Sequence, residues 1–395
     1  MKTLETTEEK LFESDKTKKL ICNLCDKKNY LVHYEMLKLG LSLGYKITKI
    51  HSVICFKQAP FIFDYINYLS TERAKTKSAV LKNLFKLLAN SLYGKFVETE
   101  LKRIKVKPVT TYDEQQKLIS KCGYQMIERA ELYSKNLWVS KMYNPKKNIS
   151  KPFYIGFAIL DLSKYIMYDV YYNVLKKNFD TTLLAQDTDS LMVNLRSEQD
   201  IETKLCKLYN YFDFSELKEG TRMHNALKKY YDNNEDKVQS KFTSFEQFIN
   251  NNKKVPLPLK DENCGLRALE FIGLRPKMYC MINEEQKIKK AAKGVSRAVK
   301  IDSEILRINE LQSVDIYKQV LFPETSENTV IQGEITRINN QKLKVSTVSQ
   351  QKVCFTCMDN KRYICKGNVK TYAWGHKDIP EEENKKFYEL NSKVN

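Results

Sequence analysis

Hydrophobic and polar positions divide this chain into helical and alternating stretches. After a polar leader, Met1 to Lys19, the apolar run Leu20 to Leu24 precedes a helical stretch from Val32 to Leu43. Gly44 follows at once, the residue helices favour just past their last turn. Tyr45 to Phe56 alternates, with Ile47, Lys49, His51 and Val53 on one side and Lys46, Thr48 and Ile50 on the other, which predicts a strand. Phe61 to Leu69 is amphipathic, and Thr71 to Phe96 reads as one long helix. Lys102 to Ser150 is strongly basic and broken by Pro108, Gly123 and Pro145, as an insertion of short strands would be. Phe153 to Leu175 returns to helix, and Thr182 to Asn194 is a strand, a turn and a strand. Arg196 to Lys254 is polar with helical patches, Val255 to Ile282 is strand-like, Lys287 to Val320 has helical character with a basic stripe, and Gln332 to Lys366 alternates again. The last fifteen residues are acidic and read as a loose tail. The mixture places the chain in the α+β class.

Composition narrows the function. With 395 residues, 42% of them apolar, the chain can bury a sizeable core in two or three domains. Its net charge of +19 favours polyanions, nucleic acid ahead of anionic membrane. The longest apolar runs, Phe153 to Leu162 and Phe61 to Leu69, carry Asp161 and Asp64 and fall short of the roughly 20 residues a membrane span needs. The charged first nineteen residues do not read as a signal peptide, so an intracellular protein with mostly reduced cysteines is expected. Two C-x-x-C pairs, Cys22/Cys25 and Cys354/Cys357, could share a zinc ion. They lie far apart in apolar contexts with no histidine close by, which favours plain thiols.

Two strings carry chemistry. On a regular helix from Thr71 to Phe96, Lys75, Lys82, Lys86, Asn90 and Tyr93 fall within roughly an 80° arc, with Leu81, Leu84, Leu88 and Leu92 opposite. Lysines suit phosphates, an amide suits a sugar or phosphate oxygen, and a ring suits a base or ribose. Gly94 would let another backbone approach. The second string, Asp187-Thr188-Asp189-Ser190, sets two carboxylates on a turn between apolar strands, where like charges crowd unless a cation sits there. Phosphoryl transfer uses two divalent ions about 3.5–4 Å apart bridged by such carboxylates. A solvated lysine face and a solvated acidic turn remain the plain alternatives.

The string Lys86-Leu-Leu-Ala-Asn90-Ser91-Leu-Tyr93-Gly94 resembles the fingers helix of family B DNA polymerases, and Asp187 to Ser190 resembles their metal-binding turn. The resemblance implies that Lys86 touches the incoming deoxynucleoside triphosphate, that Asn90 and Tyr93 line the nucleotide and template pocket, and that Ser91, Gly94, Thr188 and Ser190 lie against DNA. It makes Asp189 the essential magnesium ligand, with Asp187 a second, weaker one. Arg73 matches a basic position of the protein-primed branch, although it falls on the wrong side of a regular helix, and Lys75 would join it near the nucleotide. Glu270 to Tyr279 resembles the palm strand whose Lys277 and Tyr279 hold the primer terminus. Leu160 to Lys164, Asn360 to Tyr363 and Trp374 to His376 resemble polymerases of Polinton/Maverick elements and linear plasmids, which implies a terminal priming protein as partner.

The implied architecture is a right-hand polymerase. Residues 20–97 would be palm entry and fingers, 98–150 a basic insertion, 151–285 the palm, 286–380 the thumb and 381–395 an acidic tail. The family's other metal-binding Asp, in an Asp-x-x-Ser-Leu-Tyr-like string upstream of the fingers, has no counterpart before Lys86, and Asp26 and Asp64 do not fit it. The exonuclease carboxylates are absent as well. The chain therefore resembles the carboxy-terminal part of a polymerase, expected to bind magnesium weakly and to catalyse poorly alone. Its rival is a non-catalytic DNA-binding remnant, or one fragment of a split enzyme.

Overall fold

The computed structural model describes residues 6–7, 19–21, 23–99, 105–122, 127–134, 137–142, 150–253, 255, 257–295, 298–301, 304–307, 312–323, 330–341, 344–359, 361–367 and 369–392. The leader outside residues 6–7 and 19, and also Cys22 and Asn360, therefore lie beyond the described residues. The chain forms two compact units, residues 33–163 and residues 1–32 with 164–395.

Chain order begins with a short antiparallel pair in the second of these units, β1 (Thr6–Thr7) and β2 (Lys19–Leu20). The unit of residues 33–163 opens with α1 (Tyr34–Ser42). His33 caps it, its Nδ1 accepting from the Glu35 N–H at 3.3 Å, while its own N–H donates to the buried carboxylate of Asp161 at 2.9 Å. Gly44 ends the segment with φ +100°, as the apolar pattern predicts. Tyr45 to Phe56 is not a strand: the segment is exposed throughout and pairs with no strand among the described residues. Alternation specifies a face, but a strand also needs a partner to bond its backbone. Phe56 is held instead by stacking on Tyr154, with ring centroids 4.8 Å apart.

The long helix expected over Thr71 to Phe96 is two helices, α2 (Phe63–Lys75) and α3 (Ala79–Phe96). Thr76 and Ser78 are extended, and the Ser78 hydroxyl takes the Leu81 N–H, so a new helix starts where a serine can cap it. Arg73 and Lys75 therefore belong to a different helix from Lys86. The basic stretch of residues 98–150 holds β3 (Lys105–Val109), α4 (Tyr112–Cys122), β4 (Ile127–Ser134) and β5 (Leu137–Met142), in the sheet order β3-β5-β4. Its strands fit the reading of the sequence; α4 was not expected. Gln115 and Ser140, both buried, exchange hydrogen bonds of 2.8 and 2.9 Å and tie α4 to β5.

α5 (Phe153–Asp169) continues through a π-helical turn, Val170–Leu175, into α6 (Lys176–Asn178). Then come the hairpin β6 (Asp180–Asp187) and β7 (Ser190–Arg196). The polar region supplies α7 (Ile201–Lys207), the short β8 (Phe212–Asp213), α8 (Arg222–Asp232), α9 (Phe245–Ile249) and β9 (Leu259–Lys260), which pairs parallel with β8. Leu227, Val238, Phe248 and Cys206 form their core. Glu202 and Arg267 make a two-pronged ion pair at 2.8 and 2.7 Å, fastening α7 to the chain entering the next sheet.

That sheet runs β10 (Ala268–Arg275), β11 (Met278–Asn283) and β12 (Ile288–Ala292). A second sheet has the order β14-β13-β15-β16, from β13 (Ala298–Ile301), β14 (Glu304–Arg307), β15 (Val330–Gln341) and β16 (Lys344–Thr356). Among the described residues the helical character read over Lys287 to Val320 is thus confined to α10 (Gln312–Leu321). Lysine and alanine favour helix over residues 289–293, but pairing with β11 overrides that weak preference. Tyr317 of α10 is fully buried on both sheets' core, beside Met278, Cys280, Val299 and Phe355, and its hydroxyl donates to the Ala291 carbonyl at 3.0 Å. Cys354 and Cys357 are buried in this same core, neither of them in a disulfide.

β17 (Tyr363–Ile364), β18 (Thr371–Tyr372) and α11 (Glu381–Ser392) complete the chain. The tail expected to be loose is this helix as far as Ser392. Phe387 is 1% exposed and lies flat on Trp374, with centroids 4.9 Å apart, and Ile21 and Ile379 close the cluster. Asn384 adds polar ties, accepting from the Gly375 N–H at 3.0 Å and donating to the His376 carbonyl at 3.1 Å.

Candidate nucleotidyl-transfer site

In the unit of residues 33–163, α3 presents Lys86, Asn90, Ser91 and Gly94 on exposed positions, with Tyr93 half-buried. Lys82, Lys86, Asn90 and Tyr93 recur at helical spacing along one face. The apolar face expected opposite them is not a core: α3 has no buried residue, and Leu81 and Leu84 are 42% and 44% exposed. The helix is held at its end, where Gly156 of α5 sits so close to Val97 that a Cβ there would collide with the Val97 side chain. By contrast a Cβ on Gly94 would meet nothing within 4 Å. Packing within this unit therefore does not require glycine at position 94. On α2, Arg73 is exposed and Lys75 pairs with Glu72 at 2.9 Å.

The acidic corner lies in the other unit. Leu191, Val193 and Leu195 alternate along β7 and pack against Val170, Tyr171, Val174 and Leu175, so the π-helical turn supports the hairpin from one side. β6 is largely exposed, so the apolar strand expected before the turn does not lie in a core. Asp187 pairs with Ser190, leaving Thr188 and Asp189 as a two-residue turn closed by the Asp189 N–H on the Asp187 carbonyl at 2.7 Å. Thr188 has φ +55°, a conformation that β-branched residues rarely adopt and that costs of order 1–3 kcal/mol. Its hydroxyl and that of Ser190 both turn to Asp187, the Ser190 hydroxyl donating to the carbonyl at 3.2 Å. Asp189 is exposed and its carboxylate takes no hydrogen bond among the described residues.

The same unit brings Lys277 and Tyr279 to this corner. Lys277 is not in a strand with Tyr279, as the spacing predicts; Arg275 pairs with Met278, and Pro276 and Lys277 form the tight turn between β10 and β11. With φ +61° Lys277 swings out of the sheet, and its ammonium donates to Asp187 Oδ2 at 2.8 Å. That bond holds the Asp187 carboxyl below the usual carboxylate range. Tyr279 stacks on Phe271 at 5.8 Å, and burial, followed by the Asp187 charge, pushes its phenol up. Lys293, which the sequence did not single out, adds a second positive charge beside Asp187, and its N–H donates to the Lys277 carbonyl at 2.9 Å. Only the basic stripe beyond Lys287 hinted at it.

A divalent ion such as magnesium keeps several waters and takes one or two protein carboxylates plus substrate phosphates. Asp189 and Asp187 fit that donor set for one ion. A bridged pair of ions needs more, and among the described residues no three His, Cys, Asp or Glu side chains gather in one place. No helix among the described residues is long and apolar enough to cross a membrane.

No curated protein and no solved structure matches the chain. Residues 2–175 match a family described as DNA polymerase type B, organellar and viral. The matched stretch contains the whole Lys86 to Gly94 string and stops before the Asp187 to Ser190 corner. It points to the chemistry of that family, the transfer of nucleotides to DNA.

Proposed function

We propose that this chain is a DNA-directed DNA polymerase of the protein-primed branch, serving an element of the Polinton/Maverick or linear-plasmid kind, and that it carries part of a two-metal site. The observation that carries this reading is the family match over residues 2–175, with the Lys86 string inside it and an acidic hairpin corner following it in the order the chemistry needs. Residues 20–97 then serve as palm entry and fingers, 98–150 as an insertion, 151–285 as palm and 286–380 as thumb. Lys86 binds the phosphates of the deoxynucleotide, with Arg73 and Lys75 adding charge, while Asn90 and Tyr93 position its sugar and base. Ser91, Gly94, Thr188 and Ser190 border the DNA, and Lys277 and Tyr279 grip the primer end by phosphate and sugar without reading sequence. Asp189, and secondarily Asp187, would hold magnesium, which would supply positive charge to acidify an attacking hydroxyl and offset the phosphates.

A second reading has its own support. With Lys277 on Asp187 and no third carboxylate gathered among the described residues, the chain would bind DNA but synthesise only beside a polypeptide that supplies the missing ligand. Primer extension with magnesium, on the chain alone and with a supplied amino-terminal half, separates the two. Incorporation by the chain alone that is abolished by Asp189→Asn supports the polymerase. Salt-sensitive DNA binding with no incorporation in either arm overturns it in favour of a DNA-binding protein.

A further inference from the structure

The ribbon of β15 and β16 divides into two halves of different character. Its inner half is core: Gly333, Ile335, Cys354 and Phe355 are buried, and a Cβ at Gly333 would press on Val299, Ile301 and Cys354. From Thr336 to Asn340 and from Val345 to Ser349 nearly every residue is exposed, although the two strands stay in unbroken register. Among the described residues β13 pairs with β15 only at Glu334, so no third strand pairs alongside the outer half. A two-stranded ribbon alone in water is marginal, and its retention calls for a partner.

The chemistry of the outer half says which partner. From Ile335 to Gln351 the sequence holds Arg337, Lys342 and Lys344 and no Asp or Glu, and nearly every other polar residue is Asn, Gln, Ser or Thr. Cations and small amide or hydroxyl side chains suit phosphates and groove edges. Register sets Ile338 opposite Thr347 and Val345 opposite Asn340, so both aliphatic chains share one face, 78% and 72% exposed. Among the described residues these two aliphatic groups stand alone on that face, too small a patch for a protein interface. They match the apolar wedges that groove-binding proteins press between base steps.

The geometry points to the outer half of the β15–β16 ribbon as an arm that lies in a groove of duplex DNA, with Ile338 and Val345 wedged against a base step. This inference rests on the reading of the chain as a DNA-handling protein. The test uses the full chain and a duplex carrying 2-aminopurine, whose fluorescence rises when its base unstacks. Wild type should brighten the probe. Ile338→Thr with Val345→Thr, which keeps β-branched residues on the strands, should bind the duplex yet leave it dark. Arg337→Gln with Lys344→Gln should reduce the slope of log affinity against log salt by about one per cation removed. Binding by all three proteins with equal brightening and equal slopes overturns the arm and leaves the polymerase reading standing. Failure of wild type to bind duplex at low salt overturns both.

Discussion

Gly94 is a residue whose cost has no local return. It occupies an exposed turn of α3, where a Cβ would meet open space, and glycine inside a helix is about 0.5–1 kcal/mol less stable than alanine. Gly94→Ala should therefore raise stability by that amount in urea denaturation. The same variant should weaken deoxynucleotide incorporation or DNA binding if the gap serves an approaching ligand. A gain in stability with unchanged binding would assign the glycine no functional part. Cys206 offers a residue-scale test of the core. Burial pushes its thiol up to about 12, so the folded chain holds a proton that the unfolded chain releases near pH 9. Unfolded protein then binds fewer protons, and stability falls as pH rises. The contribution of Cys206 should be complete below about pH 9 and decline toward pH 12; replacing it with alanine should flatten that part of the stability curve. At neutral pH a thiol reagent should label the exposed Cys55 long before Cys206.

At the scale of elements, the docking of α11 combines one buried ring, Phe387, with the hydrogen bonds of Asn384 to Gly375 and His376. Phe387→Ala removes a side chain buried on Trp374 and should cost about 3–5 kcal/mol, read as a lower denaturation midpoint for the unit that holds it. Tyr45 to Pro60 lies at the opposite extreme. All of it is exposed, and no hydrogen bond among the described residues holds residues 46–59, so trypsin should cut first after Lys46, Lys49 or Lys57. Early cleavage inside α8 instead would show that this segment is covered in solution. These two elements also mark where the sequence was legible. The β6–β7 hairpin could be read because Leu191, Val193 and Leu195 alternate against a core and the turn chemistry is local. The break at Thr76 to Ser78 was readable in principle, since a serine before an apolar run is a cap signal, but the continuous leucine spacing hid it. The strand at Tyr45 to Phe56, and the part before α10 of the helical character read over Lys287 to Val320, failed for a shared reason: pattern and propensity are local, whereas strand pairing is decided by what else the fold brings alongside. The Lys277 to Asp187 ion pair was likewise beyond reach, because ninety residues separate partners that only a turn with positive φ brings together.

For the molecule as a whole, the question is whether a charge of +19 is a diffuse field or a set of contacts. A diffuse field speeds encounter with any polyanion and is screened over about 8–10 Å at physiological salt. Contacts leave a different trace, because each neutralised phosphate releases counterions and steepens the dependence of affinity on salt by about 0.9. Seven cations lie on the proposed surfaces or beside them: Arg73, Lys75 and Lys86 on α2 and α3, and Lys277, the neighbouring Lys293, Arg337 and Lys344 in the other unit. Two of these are already paired, Lys75 with Glu72 and Lys277 with Asp187, and must exchange a carboxylate for a phosphate on binding. Both pairs are exposed, where such exchanges cost little. If all seven engage, log affinity should fall with log salt at a slope of about −6, and binding should weaken about 10³-fold or more between 50 and 200 mM salt. Fluorescence anisotropy with a labelled primer-template over that salt series gives the slope directly. A value near −1 would mean that the charge steers the chain toward DNA without gripping it, and the lysines of α3 would then be an ordinary solvated face.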